Sequence, residues 1–123
     1  MSEQIPNLDK DDAEAIEWLS KEYPQIYDSF REKMLAQFVL FAKKHKGYGT
    51  SNINLGTQLD TPEDIQLALT GLVIRMLDKI NRLKNIVVLK GEDKVGEAIT
   101  DTLQDLSVYG IIAQIVQEGK FKK

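Results

Sequence analysis

The strongest structural signal in the chain is the segment at residues 61–89, TPEDIQLALTGLVIRMLDKINRLKNIVVL. Thr61 can cap a helix, Pro62 suits the first helical position, and Asp64 stands where the acid of a capping box would lie. Six apolar residues then follow at intervals of four and three, the pattern of a helix packed in a bundle: Leu69, Val73, Met76, Ile80, Leu83 and Val87. The pattern predicts one long helix over about 61–89.

The segment after Gly91 repeats this pattern and predicts a second long helix over about 92–119. Its apolar seam is Val95, Ile99, Thr102, Leu106, Tyr109, Ala113 and Val116. Because the connection between the two helices is short, we expect them to be antiparallel.

Upstream, helical spacing of apolar residues predicts helices over about 10–21 and 25–46, interrupted at Tyr23-Pro24 and ending at Gly47. No alternating pattern typical of a strand extends over more than a few residues. We therefore expect an all-α fold, with two long antiparallel helices and an N-terminal helical layer packed on them.

Residues 47–60 connect the second and third helices with fourteen residues, longer than the roughly 8 residues usual between bundle helices. Loops of this length often bind a ligand or move. A plain surface crossover is the alternative.

Composition limits the classes of function. A chain of 123 residues with 42% apolar and 28% charged residues predicts a single globular domain, 1–123. The absence of cysteine excludes disulfide scaffolds, thiolate zinc sites and cysteine nucleophiles. A formal charge of −3 argues against binding to a nucleic acid polymer.

No apolar run approaches the ~20 residues that span a bilayer, and no secretory signal is present, so we expect a cytoplasmic protein, in the host cytoplasm if it is viral.

Three carboxylates, Glu97, Asp101 and Asp105, form one stripe on the predicted fourth helix. Like charges at this spacing destabilise a helix by about 0.2–0.5 kcal/mol per pair, so a counterion is expected. The helix becomes apolar nearly all round beyond the stripe, which indicates burial by other helices or by a second copy of the chain. Oxygen ligands favour Mg²⁺ or Mn²⁺. The alternative is that these acids pair with lysines and arginines across a helix interface.

The predicted third helix carries a complementary set, Arg75, Asp78, Lys79 and Arg82, nearly opposite its apolar seam. One interpretation is a solvated face. In the other, Asp78 completes the carboxylate cluster and the three basic residues hold phosphate oxygens, for which guanidinium groups are well shaped. The second interpretation requires this helix to be flanked on both sides, as in a homo-oligomer with two or more subunits.

These residues also carry a family resemblance. The segments KHKGYGTSN at 44–52, LVIRMLDKINRLKN at 72–85 and EAITDTLQDLSVY at 97–109 resemble the nucleotide-modification-associated domain 1 family, found largely in phages and their hosts. That family is similar to the MazG-like all-α nucleoside triphosphate pyrophosphohydrolases, which hold Mg²⁺ with acids from two helices and form dimers or tetramers. The resemblance thus implies a MazG-like oligomeric bundle.

By position, the resemblance implies roles for individual residues. The implied metal ligands are Asp78, Glu97, Asp101 and Asp105, and Glu97 and Asp101 are also the catalytic candidates. The implied nucleotide contacts are Tyr48, Asn52, Arg75, Lys79 and Arg82. The chain departs from the MazG-like pattern because it lacks the Glu-Glu-x-x-Glu element and spaces its helix-four acids by four residues instead of three.

Three functions remain open. The first is Mg²⁺-dependent hydrolysis of a (deoxy)nucleoside triphosphate to monophosphate and pyrophosphate, with Tyr48 stacked on the base and Asn52 at its edge. The second, motivated by the incomplete acidic set, is a phage protein that sequesters a nucleotide second messenger of host defence without turnover. The third is an interaction protein that only recruits a partner. We expect His45 to be a structural residue and 119–123 to be a frayed helix end.

Overall fold

The computed structural model describes residues 7–89 and 99–123, and in these ranges the regular structure is entirely helical. The helices are α1 (Lys10–Glu22), α2 (Pro24–Tyr48), α3 (Ser51–Asn54), α4 (Pro62–Leu83) and α5 (Ile99–Gln117). The contacts divide the chain into two compact units, Met1–Val39 and Leu40–Lys123, with α2 contributing to both. The all-α prediction is confirmed for the described residues.

Local chemistry sets the boundary between the first two helices. Asp9 caps α1, its side chain accepting a hydrogen bond of 2.8 Å from the backbone of Asp12. Tyr23 leaves the helical conformation because it precedes a proline, and Pro24 then begins α2. The predicted interruption at Tyr23-Pro24 is confirmed, and α2 continues two residues beyond the predicted end.

The start of α4 is also as predicted. Thr61 Oγ1 accepts a hydrogen bond of 3.1 Å from the backbone N–H of Asp64, and Pro62 occupies the first turn. The regular α-helix ends at Leu83, earlier than predicted. The chain then continues as a π-helical turn over Lys84–Val88. This turn contains three consecutive β-branched residues, which crowd a regular helix.

Replacing the cap of α4 is expected to have a moderate effect on stability. Thr61→Ala removes the acceptor for the Asp64 N–H and should lower the free energy of unfolding by about 1 kcal/mol, measured by urea denaturation. Thr70→Ala is the control, because the Thr70 hydroxyl only donates to the Gln66 carbonyl of its own helix. Equal losses for the two variants would contradict a capping role for Thr61.

The connection at 49–61 is packed against the rest of its unit and is not a plain crossover. It contains the short helix α3, which the sequence did not predict, and it buries Ile53 and Leu59. Leu59 has a φ of 55°, a left-handed conformation unusual for leucine, so its burial must offset backbone strain. The side chain of Asn54, itself buried, accepts a hydrogen bond of 3.0 Å from the N–H of Gly56.

The core of the second unit forms where α4 and α5 pack together and α3 lies against α4. Its buried apolar residues are Ile53, Leu59, Ala68, Leu72, Ile112, Val116 and Phe121. Phe41, from the second half of α2, packs against this cluster. An oligomeric MazG-like bundle remains a prediction.

The predicted seam of α4 is wrong in part. The buried positions are Ala68 and Leu72, whereas Val73, Ile80 and Val87 are each at least half exposed in this chain. α4 therefore has two apolar faces, of which only one packs on α5. On α5 the predicted seam is confirmed at Thr102 and Val116, both fully buried, and Val95 lies outside the described residues.

Within residues 7–89 and 99–123, no helix has both the length and the hydropathy required to cross a membrane.

Candidate functional site

The second unit contains a cavity of about 300 Å³. The last turns of α2 line one side, α3 and Arg75 of α4 line another, and the inner face of α5 together with Phe121 completes the wall. Ligand sites in proteins usually measure about 300–1,000 Å³, so this cavity is at the small end of the range.

One wall of the cavity is aromatic. Phe41 and His45, one turn apart on α2, stack with ring centroids 5.3 Å apart, and Phe121 meets His45 edge-on at 5.5 Å. The expectation of a frayed end at 119–123 is wrong, because Phe121 is only 5% exposed and Lys122 forms an ion pair of 2.8 Å with Asp60. These contacts place an aromatic side chain from the end of the sequence in the cavity wall.

Charged side chains also line the cavity: Lys44, Arg75 and Asp105. The Nζ atom of Lys79 lies 2.8 Å from the carboxylate of Asp105, and that of Lys44 lies 4.0 Å from it. The side chains of Lys79 and Asp105 are only about a quarter exposed, so solvent screens this pair less than a surface pair. For Asp105, the interpretation of an acid paired across a helix interface is therefore confirmed.

Arg75 connects the cavity to the loop that precedes α4. Its Nη2 atom donates a hydrogen bond of 2.7 Å to the backbone carbonyl of Asn52 in α3. A guanidinium group has five N–H donors, so one such bond leaves others able to face a ligand. Lys44 and Arg75 line the cavity together with Asp105, and Lys79 contacts Asp105 from outside the lining, so basic side chains outnumber the single acid of the lining although the whole chain carries −3.

The structure brings together four of the residues singled out in the sequence, since Tyr48, Asn52, Arg75 and Asp105 all line the cavity. Lys79 does not line it but contacts Asp105 directly. The remaining described candidates lie away from the lining: Asp78 and Asp101 are exposed and Arg82 is partly buried. Glu97 lies outside the described residues.

The predicted metal site stays a prediction. Among the described residues, no three His, Asp or Glu side chains are close enough to hold one ion, but Glu97, one of the four predicted ligands, is not among them. The four carboxylates suit Mg²⁺ by their chemistry. Lys79 and Lys44 already lie beside the two carboxylate oxygens of Asp105, at 2.8 Å and 4.0 Å.

Sequence reasoning missed several residues of the cavity: His45, Gln104, Tyr109 and Phe121. One feature of the sequence could have identified this wall. Phe41, His45 and Tyr48 recur at helical spacing on one face of α2, and this face ends at the Tyr-Gly element at 48–49.

Comparison with known proteins gives one match. The family model of the nucleotide modification associated domain 1 matches residues 44–116, more than half of the chain, and this range contains most of the cavity lining. No curated protein and no solved structure matches the chain. On this match, the chain belongs to the nucleotide modification associated domain 1 family.

Proposed function

We propose that the protein binds a phosphorylated nucleotide in the cavity between α2, α3, α4 and α5. The observation that carries the proposal is the combination of aromatic rings with two cationic side chains, Lys44 and Arg75, in the lining of one small cavity of an acidic chain. Cationic side chains bind phosphate oxygens, and aromatic side chains provide faces on which a base can stack. Membership of a family described as associated with nucleotide modification supports the same function.

In this proposal the phosphate lies near Arg75, with Lys44 and Lys79 adding positive charge. Tyr48 is 66% exposed at the cavity and can cover a base without first leaving a packed core. The amide of Asn52 can donate to and accept from a base edge. Arg82 could contact only a ligand that extends along α4 beyond the cavity.

The size of the cavity favours a single nucleotide. A volume of about 300 Å³ is the lower limit for small-molecule sites, so a dinucleotide would have to extend into solvent. A mononucleotide is therefore the ligand class that we propose. Sequestering such a nucleotide, including a messenger of host defence, requires no chemistry beyond this binding.

Hydrolysis is the second candidate function. Asp101 is exposed and lies one helical turn before Asp105, a spacing at which two carboxylates can share one hard cation. In this proposal Asp78 and Glu97 complete the ligand set, and Glu97 and Asp101 are the catalytic acids. A bound Mg²⁺ or Mn²⁺ would supply a water of lowered pKa and neutralise phosphate charge. The substrate would be a (deoxy)nucleoside triphosphate, and the products would be the nucleoside monophosphate and pyrophosphate.

Asp105→Asn distinguishes the two candidates. Without hydrolysis, the variant removes a negative charge from the cavity wall and with it a repulsion of the phosphate, so affinity for the nucleotide should increase severalfold. With hydrolysis through a metal bound by Asp105, the same variant should lose turnover and Mg²⁺-dependent affinity. The measurement is calorimetric titration of the common nucleoside mono-, di- and triphosphates with and without Mg²⁺, and chromatography of each mixture for products.

The wild-type protein is expected to bind at least one of these nucleotides saturably, with affinity that falls as salt is raised. Formation of pyrophosphate would establish hydrolysis, and binding without products would establish sequestration. If none of the nucleotides binds under either condition, the proposed function is wrong.

A further inference from the structure

The part of α2 that belongs to the first unit, 24–39, presents an apolar surface that is not covered within the described residues. Each of its six large apolar residues is more than half exposed: Ile26, Phe30, Met34, Leu35, Phe38 and Val39. We call these six residues the α2 apolar surface. All of them precede residue 44, where the match to the family begins.

The first unit has little core of its own. Neither α1 nor α2 contains a fully buried residue, and Ile16 and Leu19 of α1 are only partly buried. Trp18 and Tyr23, whose rings lie 5.7 Å apart, are themselves 57% and 51% exposed. An isolated helix of 13 residues such as α1 is marginal in water, so a unit without a core needs a further surface to pack against.

The exposed area matches what a protein partner requires. Taking roughly 200 Å² for the whole surface of a large apolar residue, six residues that are more than half exposed present about 700 Å². The largest apolar patch on a typical monomer is about 300–600 Å², whereas a stable interface covers about 800 Å² on each partner. The α2 apolar surface is larger than the usual patch on a monomer and approaches the size of such an interface.

We propose that the α2 apolar surface is the interface through which two copies of this chain form a dimer. Interfaces between identical subunits are the most apolar class, and a two-fold axis requires a surface that complements itself. The charged residues of 24–39 are two acids and two bases, Asp28, Glu32, Arg31 and Lys33, so two copies of this segment have no net charge to repel each other.

The charge around this surface argues against a lipid membrane as its partner. Helices that lie on membranes carry an excess of lysine and arginine on their polar face. Here the segment 24–39 is neutral, and α1 contains five acids against two lysines. Anionic lipid would therefore be repelled by the first unit.

The test is sedimentation of the full-length protein over a range of concentrations. The wild type should be a dimer, and Phe30→Glu and Phe38→Glu should each weaken dimerisation by about 100-fold or more. Ser29→Glu and Ala36→Glu introduce the same residue at exposed positions on the opposite side of α2 and should leave the dimer intact. Circular dichroism and nucleotide titration verify that each variant is folded, and they keep this result separate from the proposed function.

A second measurement does not depend on disrupting the helix. The chain contains no cysteine, so Met34→Cys can form a disulfide only between two copies. Under mild oxidation it should give a covalent dimer, whereas Ala36→Cys should not. A monomeric wild type, binding of the wild-type monomer to anionic vesicles, or a dimer unaffected by both Phe→Glu variants would overturn the proposal. The last result would move the interface to another surface, such as the exposed apolar face of α4.

Discussion

Leu72→Ala is expected to lower the free energy of unfolding by about 3 kcal/mol, within the roughly 2–5 kcal/mol typical of buried leucines. Leu72 is 1% exposed and belongs to the buried cluster of the second unit, where α4 packs on α5. The substitution loses the free energy gained by burying the leucine side chain, and it leaves a cavity that the two packed helices can fill only in part. Urea denaturation followed by circular dichroism measures the change.

Leu77→Ala is the matched control. It makes the same chemical change on the same helix, but Leu77 is 52% exposed, so the expected loss is below about 1 kcal/mol. The comparison is made at low protein concentration, so that any association through the outer face of α4 does not contribute. Similar losses for the two variants would show that α4 does not bury the face seen in the structure.

This pair of variants also shows where sequence reasoning reached its limit on the fold. The start of α4 depends on contacts within four residues, Thr61 to Asp64, and such local chemistry can be predicted from sequence. The buried face of α4 cannot be predicted in this way, because apolar residues recur with a helical period on the face of Leu72 and also on the face of Val73. Only the position of α5 decides between them.

The same distinction explains the two local errors. α3 is a single turn whose burial depends on packing against α4, the next helix along the chain. Phe121 is buried by Phe41 and His45, about eighty residues earlier in the sequence. Neither contact leaves a periodic signal near the residues concerned, so a short loop helix and an ordered end could not be predicted.

The candidate site was predictable to the extent that its residues lie in motifs. Tyr48, Asn52 and Arg75 were identified through the resemblance, and the structure places them around one cavity. Asp105 was identified through the acidic stripe, and pairing with a basic residue across a helix interface was one of its two interpretations. Which basic residue it meets, Lys79, depends on how the two helices pack and could not be read from either segment alone. His45 was interpreted as structural, since a histidine near the end of an apolar helix face gives no indication of a cavity beside it.

Arg75→Ala is expected to weaken nucleotide binding by about 10- to 100-fold. Hydrogen bonds to charged groups contribute about 1.5–3 kcal/mol each, and every 1.4 kcal/mol is a tenfold change in the dissociation constant. The variant also loses the hydrogen bond of 2.7 Å to the carbonyl of Asn52, which holds α3 against α4. Calorimetric titration with the nucleotide that the wild type binds measures the loss, and urea denaturation measures the accompanying change in stability.

Arg75→Lys separates charge from geometry. Lysine keeps the positive charge but not the planar guanidinium, so we expect it to recover part of the lost affinity and to leave the Asn52 contact weakened. Arg82→Ala removes an arginine two turns further along α4 that does not line the cavity, and the expected loss is at most about threefold. Wild-type affinity in Arg75→Ala together with a large loss in Arg82→Ala would place the ligand along the outer part of α4. Because both arginines lie on the same helix, this comparison tests the position of the site and not merely the need for positive charge.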